Sequence, residues 1–459
     1  VALAAASPDS RAVCVIDDSG RAVVSSVEPG HVEVSMRTLF GKVLYEGYDE
    51  PAYVYQSTGS TQAEPKFSLI PLIFGTMKAT IVAMFVAVPL AVLAAIYSSE
   101  FLHRDVRRYV KPTIELLASL PSVVLGFIAA MVVAPFVRDQ LPRLMTFALI
   151  GPLAVVFAAH AWRAARGGAR TEWGRVGRFA LIAAAVLLGA AVSIPAGTLL
   201  EHSLFGRAGG GSIINWLNEG TGPATPGWFV VLLIPVIAVM LVVDAAVLGP
   251  VWRRFSRDAP GRRACLIELG RLVINLTVSL GAAYALASVL DSAGFDPRHS
   301  IFGPFSQRNT LVVGLIMGVA VVPIIYTISE DAIHAVPGRL RSASLGVGAT
   351  PWQTALRVVL PVAGSGVFSA VMIGLGRAVG ETMIVLMATG NTPEMSMNIF
   401  SGFRTLAANI AVELPEAPAG GTHYRVLFLC GLVLFAMTLI INTTAEVVRQ
   451  HFRKRNAAL

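Results

Sequence analysis

Residues 339–361 read RLRSASLGVGATPWQTALRVVLP, and the rest of the chain is read outward from them. The stretch is short, studded with polar residues, and lies between two strongly apolar segments. Thr350-Pro351-Trp352-Gln353 has the form of a capping box. The Thr hydroxyl accepts from the backbone three residues on, Gln reaches back, and Pro fills the first helical position, where no N–H is needed. Gly348 is a natural stop for a short helix before it. Trp352, Ala355, Leu356 and Val359 fall at helical spacing on one face. Two short helices joined by a tight turn at a membrane surface are therefore expected. On the residues alone, an amphipathic loop resting on lipid headgroups is one reading of it.

Composition sets the wider frame. Hydrophobic residues make up 55% of the chain and charged residues only 14%, and the mean hydropathy is +0.67. Such values exclude an ordinary soluble domain. The net charge of +8 does not point to nucleic acid, because the Arg residues lie in short clusters between apolar runs, as membrane topology places them. Of three cysteines, Cys265 and Cys430 lie in or beside apolar runs and Cys14 stands apart, so no disulfide framework or metal spacing results. The histidines are scattered, without paired spacing.

Residues 1–67 are the one long hydrophilic stretch. VCVIDD, HVEVSM and AYVYQS are short β-like runs broken by Ser-Gly, Pro-Gly and Gly-Ser turns, which reads as the end of a larger β-rich domain. The chain opens on Val1 with no signal-peptide pattern, and a preceding segment with a further membrane helix is expected. Nine apolar runs follow, at roughly 68–99, 113–137, 144–162, 179–200, 228–251, 266–290, 310–328, 363–390 and 424–447. Each reaches about the 20 residues a bilayer crossing takes.

The loops between them alternate in charge. Arg104, Arg107, Arg108 and Lys111 fill the first, and Arg163, Arg166, Arg170, Arg175 and Arg178 the third. Arg253, Arg254, Arg257, Arg262 and Arg263 fill the fifth, Arg339, Arg341 and Arg357 the seventh, and Arg449, Arg453, Lys454 and Arg455 the tail. By the positive-inside rule these are cytoplasmic, which places residues 1–67 outside and the C-terminus inside, in keeping with an odd number of spans. Residues 138–309 contribute four spans, an even number, and read as an insertion between 68–137 and 310–459. The Gly-rich loop 205–227 lacks the Gly-Lys-Ser/Thr ending of a phosphate-cradling loop, and no such motif occurs elsewhere.

Span 363–390, AGSGVFSAVMIGLGRAVGETMIVLMATG, carries charge into the membrane. Arg377 and Glu381 stand four apart, on one face of a continuous helix. A central membrane charge costs about 2.5–3.5 kcal/mol on an insertion scale, so such residues face protein or water and often mark a substrate path. Gly376 and Gly380 form a small-xxx-small spacing around Arg377, extended by Ala370 and Gly374. Two roles are open for the pair: a self-satisfied ion pair between packed helices, or an anion contact in which the planar Arg fork donates two parallel hydrogen bonds to an oxyanion.

The 339–361 stretch resembles the coupling loop of ATP-binding-cassette (ABC) importer permeases, whose pattern is Glu-Ala-Ala, three residues, Gly, nine residues, Ile-x-Leu-Pro. The matching positions are Ser342-Ala343-Ser344, Gly348 and Val358-Val359-Leu360-Pro361, with Ser342 where the family has Glu. GLGRAVGETM with Gly390-Asn391-Thr392, IELLASLPSVVLGF at 114–127, FRTLAANIAVELPEA at 403–417 and NTTAEVVRQHFRKR near the end resemble the membrane subunits of the phosphate-specific ABC importer. The resemblance covers about 67–137 and 310–455 and leaves out 1–66 and 138–309.

The resemblance implies a type I permease core; with the apolar runs read above, the expected fold is an all-α, polytopic membrane protein of about nine helices, in which 138–309 is a four-helix insertion and 1–67 a short β-rich extracytoplasmic segment. It also implies a bacterial inner-membrane subunit that imports phosphate. Its partners would be a sister permease, two copies of an ATP-binding subunit holding ATP and Mg2+, a periplasmic phosphate-binding protein and lipid, with no cofactor or metal on this chain. The implied pathway residues are Arg377, Glu381 and Thr382, with Glu115 and Ser122 from the second span; Pro121 kinks that span. The implied coupling residues are Ser342, Ala343, Ser344, Gly348, Thr350, Trp352, Leu360 and Pro361. A permease for sulfate or molybdate is the near alternative. A secondary transporter is another, for which Asp244 is the further acidic candidate, but no internal repeat supports it. A membrane enzyme lacks a nucleophile–base or metal constellation.

Overall fold

The computed structural model describes residues 3–456 except 7–11, 17–19, 27–33, 46, 58–64, 167–175, 207–210, 221, 250–251, 253–260 and 300–301. Arg170, Arg175, Arg253, Arg254 and Arg257 of the cationic loops lie outside the described residues. So do parts of VCVIDD, HVEVSM and the Gly-rich 205–227 loop. Helices dominate. Three antiparallel strands, β1 (Leu3–Ala6), β2 (Ala12–Ile16) and β3 (Ala22–Ser26), open the chain, with Cys14 opposite both Ala5 and Val24. A two-residue pair, β4 (Tyr55–Gln56) and β5 (Lys66–Phe67), follows. HVEVSM is not a strand where it is described. Ser35 and Thr38 form a reciprocal capping box that starts a short helix, α1 (Met36–Phe40), instead.

The chain divides into two compact units, residues 1–126, 313–395 and 403–459 in the first, and 127–312 and 396–402 in the second.

The first unit is built on α2 (Ile70–Glu100), most of α10 (Thr310–His334), α13 (Leu360–Val379) and α16 (Thr422–Asn456). An amphipathic helix, α3 (Arg104–Ala118), and the short helices α11 (Gly338–Gly346), α12 (Pro351–Thr354), α14 (Met383–Ala388) and α15 (Leu406–Glu413) complete it. Small residues bring the long helices together. A Cβ added at Gly374 would stand 2.5 Å from Ile325 of α10, and one at Gly366 would collide with Ala332. Gly376 lies instead against Asn442 of α16. One apolar core ties the hydrophilic N-terminal segment to the helix ends, joining Leu39, Tyr55 and Phe67 to Leu72, Leu406 and Val426.

The second unit contains α5 (Ala134–Arg166), α6 (Val176–Leu204), α7 (Ile213–Glu219), α8 (Thr225–Val243) and α9 (Gly261–Ser292). Its core centres on Phe229, Ala283 and Ala287. Arg271 donates to both carboxylate oxygens of Asp244, from Nε to Oδ1 at 3.0 Å and from Nη2 to Oδ2 at 2.5 Å, so Asp244 is a satisfied partner of a neighbouring helix.

Among the described residues, eight helices are long and apolar enough to cross a membrane, against the nine apolar runs read from the sequence. The expected spans 113–137 and 144–162 are replaced by α3 and by a continuous 41-residue run, Ser122–Trp162. The run comprises α4 (Ser122–Ile128), a π turn at Ala129–Val133 and α5. At 1.5 Å per residue it is about 60 Å long, twice the hydrocarbon thickness. Arg138, Gln140 and Arg143 do not break it. Arg143 donates to Gln140 at 2.5 Å and the Thr146 hydroxyl donates to the Pro142 carbonyl at 2.7 Å, so the polar turn satisfies itself within the helix. Because this run is twice the length of one crossing, the number of such helices does not by itself assign sides to the two ends of the chain.

Candidate functional site

The loop from 338 to 354 is set by local chemistry. The Gly348 N–H donates to the Leu345 carbonyl at 3.0 Å and the Ala349 N–H to the Ser344 carbonyl at 3.2 Å, the paired bonds of a Schellman turn. Gly348 adopts φ +88°, which L side chains reach only with strain. Thr350 and Gln353 then form the reciprocal capping box at 3.2 and 2.9 Å, with Pro351 in the first turn. The Ser344 and Thr354 hydroxyls meet at 2.9 Å and close the two short helices on each other.

Of the docking residues expected from the sequence, Ser342, Ala343, Gly348, Thr350, Trp352 and Pro361 are exposed, and Ser344 and Leu360 are half-buried. No residue of α11 is buried. Val347 is 86% exposed at the tip, beside exposed Leu345. The expected single face of Trp352, Ala355, Leu356 and Val359 does not form. A π turn over Ala355–Val359 shifts the register, burying Ala355 and Val359 and leaving Trp352 and Leu356 out. Trp352 rests against Phe101, ring centroids 6.0 Å apart.

Ion pairs fasten this end of the first unit. Glu330, wholly buried at the C-terminal end of α10, accepts from Arg107 and, at 3.0 Å, from Lys111. Lys111 also reaches Asp331 at 2.7 Å. Arg341 of α11 pairs with Glu100, the last residue of α2, at 2.9 Å. Cations read from sequence only as topology markers thus hold buried carboxylates. Because Glu330 lies 223 residues from Arg107, no local pattern could announce the pair.

The pathway helix departs from expectation. α13 ends at Val379 with Gly380 as its cap, and α14 starts only at Met383. Arg377 and Glu381 therefore do not share a helical face, and no ion pair joins them among the described residues. Gly in the last turn, followed by Glu-Thr, gives an ending where side-chain period alone reads a continuous helix. Arg377 is exposed in the final turn of α13, where the negative end of the helix dipole favours a cation. Glu381 is half-buried, with Oε1 3.5 Å from the Ile384 N–H, and the Thr382 hydroxyl donates to the Gly380 carbonyl at 3.2 Å. Gly380 drops out of the expected close-packing pair, since a Cβ there would meet only its own helix.

Ser122 and Glu115 separate. Ser122 opens α4, and Gly126, one turn on, is so close to α14 that a Cβ would stand 2.8 Å from the Met383 carbonyl. The Ser122 helix thus runs beside the segment that follows Glu381 and Thr382. Glu115 lies on the exposed face of α3, beyond the break at Ser119–Pro121, in a groove of about 390 Å³ with Arg107, Arg108 and Lys111. The structure brings Ser122 towards the Glu381–Thr382 corner and leaves Glu115 with the cations of α3.

A second polar cluster escaped the sequence reading. Glu413, at the end of α15, accepts from the Tyr55 hydroxyl at 2.5 Å and from Ser57 at 2.7 Å. Arg404 donates to it at 2.7 Å, and His423 Nε2 lies 2.8 Å away. Asn409 donates to the Tyr55 oxygen at 2.7 Å. The cluster pins residues 55–57 to α15 and to the N-terminal end of α16. Burial acts to raise the Glu413 carboxyl, but hydrogen bonds from Tyr55, Ser57 and His423 and the charge of Arg404 hold it below the ordinary 4.5. Burial first, and then the Glu413 charge, push the Tyr55 phenol above its ordinary 10.0.

These shifts fix a pH window. A carboxyl with a depressed folded pKa stabilises above its unfolded value, and that contribution is lost as pH falls below 4.5. A phenol with a raised folded pKa stabilises below 10.0 and loses that contribution above it. Glu413→Ala is expected to cost about 3–5 kcal/mol, the range for removing one member of a buried pair. Thermal melting across pH checks both: the wild-type melting temperature should drop below pH 4.5, and Glu413→Gln should flatten that drop. An unchanged acid limb in Glu413→Gln would refute the assignment.

Among the described residues, no three His, Cys, Asp or Glu side chains gather as a metal site requires. The comparisons with known proteins agree on one class. Residues 224–457 match the family described as the binding-protein-dependent transport system inner membrane component. The chain is 29% identical over 296 residues to the phosphate transport system permease protein PstC of Mesorhizobium japonicum, covering 61% of this chain and 90% of that protein. It is 40% identical over 146 residues to PstC 1 of Mycobacterium tuberculosis, covering 31% of this chain and 43% of that protein. The match to the probable ABC transporter permease protein YqgH of Bacillus subtilis is 34% over 133 residues, covering 29% of this chain and 43% of that protein. No solved structure matches significantly. Eight long apolar helices and a family match over half its length agree: this chain belongs to the binding-protein-dependent transport system inner membrane component family.

Proposed function

We propose that the chain is the permease subunit of an ATP-driven importer that carries inorganic phosphate into the cytoplasm. The observation that carries this reading is the 338–354 loop, a rigid double-capped turn. It presents Leu345, Val347 and Trp352 outward from the cation-rich end of the first unit. Exposed apolar side chains on a preorganised turn suit a groove on a partner protein. Phosphate is favoured over sulfate and molybdate by the names of the curated relatives. Arg377 contacts the anion, and Glu381, Thr382 and Ser122 shape the corner beside it; Glu115 stands apart from them, among the cations of α3.

The partners of this reading are a sister permease, two copies of an ATP-binding subunit carrying ATP and Mg2+, and an extracytoplasmic phosphate-binding protein. Orientation follows from charge. Arg107, Lys111, Arg339, Arg341 and Arg357 cluster at one end of the first unit, which is assigned to the cytoplasm with the C-terminus. Tyr55, Ser57 and the Glu413 cluster mark the opposite, extracytoplasmic end. Purification of the tagged chain from its native membrane tests the class. An ATP-binding subunit and a second permease are expected with it; full transport activity by the chain alone would exclude the reading.

A further inference from the structure

Arg341 was legible in the sequence only as one cation of a topology cluster, yet in the structure it joins three elements. It sits in the first turns of α11. Its Nε and Nη2 both reach Glu100 Oε1, at 3.0 and 2.9 Å. Nη2 also donates to the Ile333 carbonyl at 2.8 Å, and Nη1 to the Val336 carbonyl. Glu100 closes α2, and Ile333 and Val336 lie at the end of α10 and just beyond it. The Glu100 side chain is only 12% exposed. Carbonyls at a helix C-terminus lack intrahelical partners, and the dipole there favours a cation, so the guanidinium answers both needs at once.

We infer that Arg341 is the positioning residue that transmits movement of the 338–354 loop to the ends of two membrane helices, α2 and α10. This inference rests on the importer reading above. The exposed side of α11 is free to engage a partner, while one half-buried side chain fixes its other side to both helix ends. A shift of α11 must carry those ends with it or break four charge-assisted hydrogen bonds. Arg suits this role and Lys does not. The bonds fan out from a rigid planar fork in different directions, whereas an ammonium is a point charge on a flexible stem. Glu330, held by Arg107 and Lys111, steadies the same end of α10 from the side of α3.

The test uses the whole transporter in proteoliposomes and reads phosphate delivered per ATP hydrolysed. Arg341→Lys keeps the charge but loses the fork. It should retain ATP hydrolysis while phosphate per ATP falls about tenfold, within the range of coupling between sites. Glu100→Ala removes the α2 branch of the link without touching the loop and should lower the ratio in the same direction. Loss of both activities together in Arg341→Lys, with the ATP-binding subunit still bound, would mark a merely structural contact and overturn the inference. So would a wild-type ratio in both variants. Failure of the wild-type chain to associate with any ATPase bears instead on the importer reading.

Discussion

Replacing Arg377 with glutamine should abolish ATP-driven phosphate uptake while the chain still inserts, folds and binds its partners. Arg377 makes no ion pair among the described residues and stands exposed in the last turn of α13, so its loss leaves no buried carboxylate unpaired. An exposed substitution of this kind usually changes stability by about 0.5 kcal/mol or less. Its worth to an oxyanion is greater: hydrogen bonds to charged groups contribute roughly 1.5–3 kcal/mol each, and the guanidinium offers two in parallel. Losing them lowers uptake by about 10² or more. Radiolabelled phosphate uptake, normalised to membrane-inserted protein, reads the effect, and wild-type uptake would remove Arg377 from the path. Glu381→Gln should be milder. The helix break at Gly380 separates Glu381 from Arg377, and a glutamine oxygen can still accept from the Ile384 N–H.

Gly348→Trp should uncouple the transporter, leaving ATP hydrolysis with little uptake. The φ of +88° would strain any L side chain, though a Cβ at Gly348 would meet no atom within 4 Å. Strain of about 1–2 kcal/mol is too little to unfold the protein. The larger effect is bulk: an indole at the tip of the turn, beside Val347, obstructs seating in a partner groove. Gly348→Asn separates the two causes, since Asn tolerates the left-handed region and caps helices as Gly does. It should keep most of the uptake. Equal loss in both variants would assign the effect to the backbone, and full uptake by Gly348→Trp would contradict docking of the loop.

The features legible in sequence were those written over a few adjacent residues. Thr350, Pro351, Gln353 and Gly348 spell out a capping box and a turn, and both formed as read. Apolar runs longer than about 20 residues are equally local signals, and most became helices long enough to cross a membrane. The apparent interruption at Arg138–Arg143 did not break its helix, because hydrogen bonds to Gln140 and Pro142 absorbed the polar turn. The reverse happened at Gly380, where side-chain period ran on through a real break. The Glu413 cluster could not be read at all. Tyr55 and Glu413 stand 358 residues apart, and neither carries a local pattern that names the other. Arg341 and Glu100, 241 residues apart, are the same case.

The importer reading is tested most directly by ATP-driven uptake into proteoliposomes holding this chain with its copurified partners, measured for phosphate with sulfate or molybdate as competitor. Phosphate should accumulate only with ATP present, and neither competitor should displace it at equal concentration. Accumulation driven by an ion gradient without ATP, or equal displacement by sulfate, would contradict a phosphate importer.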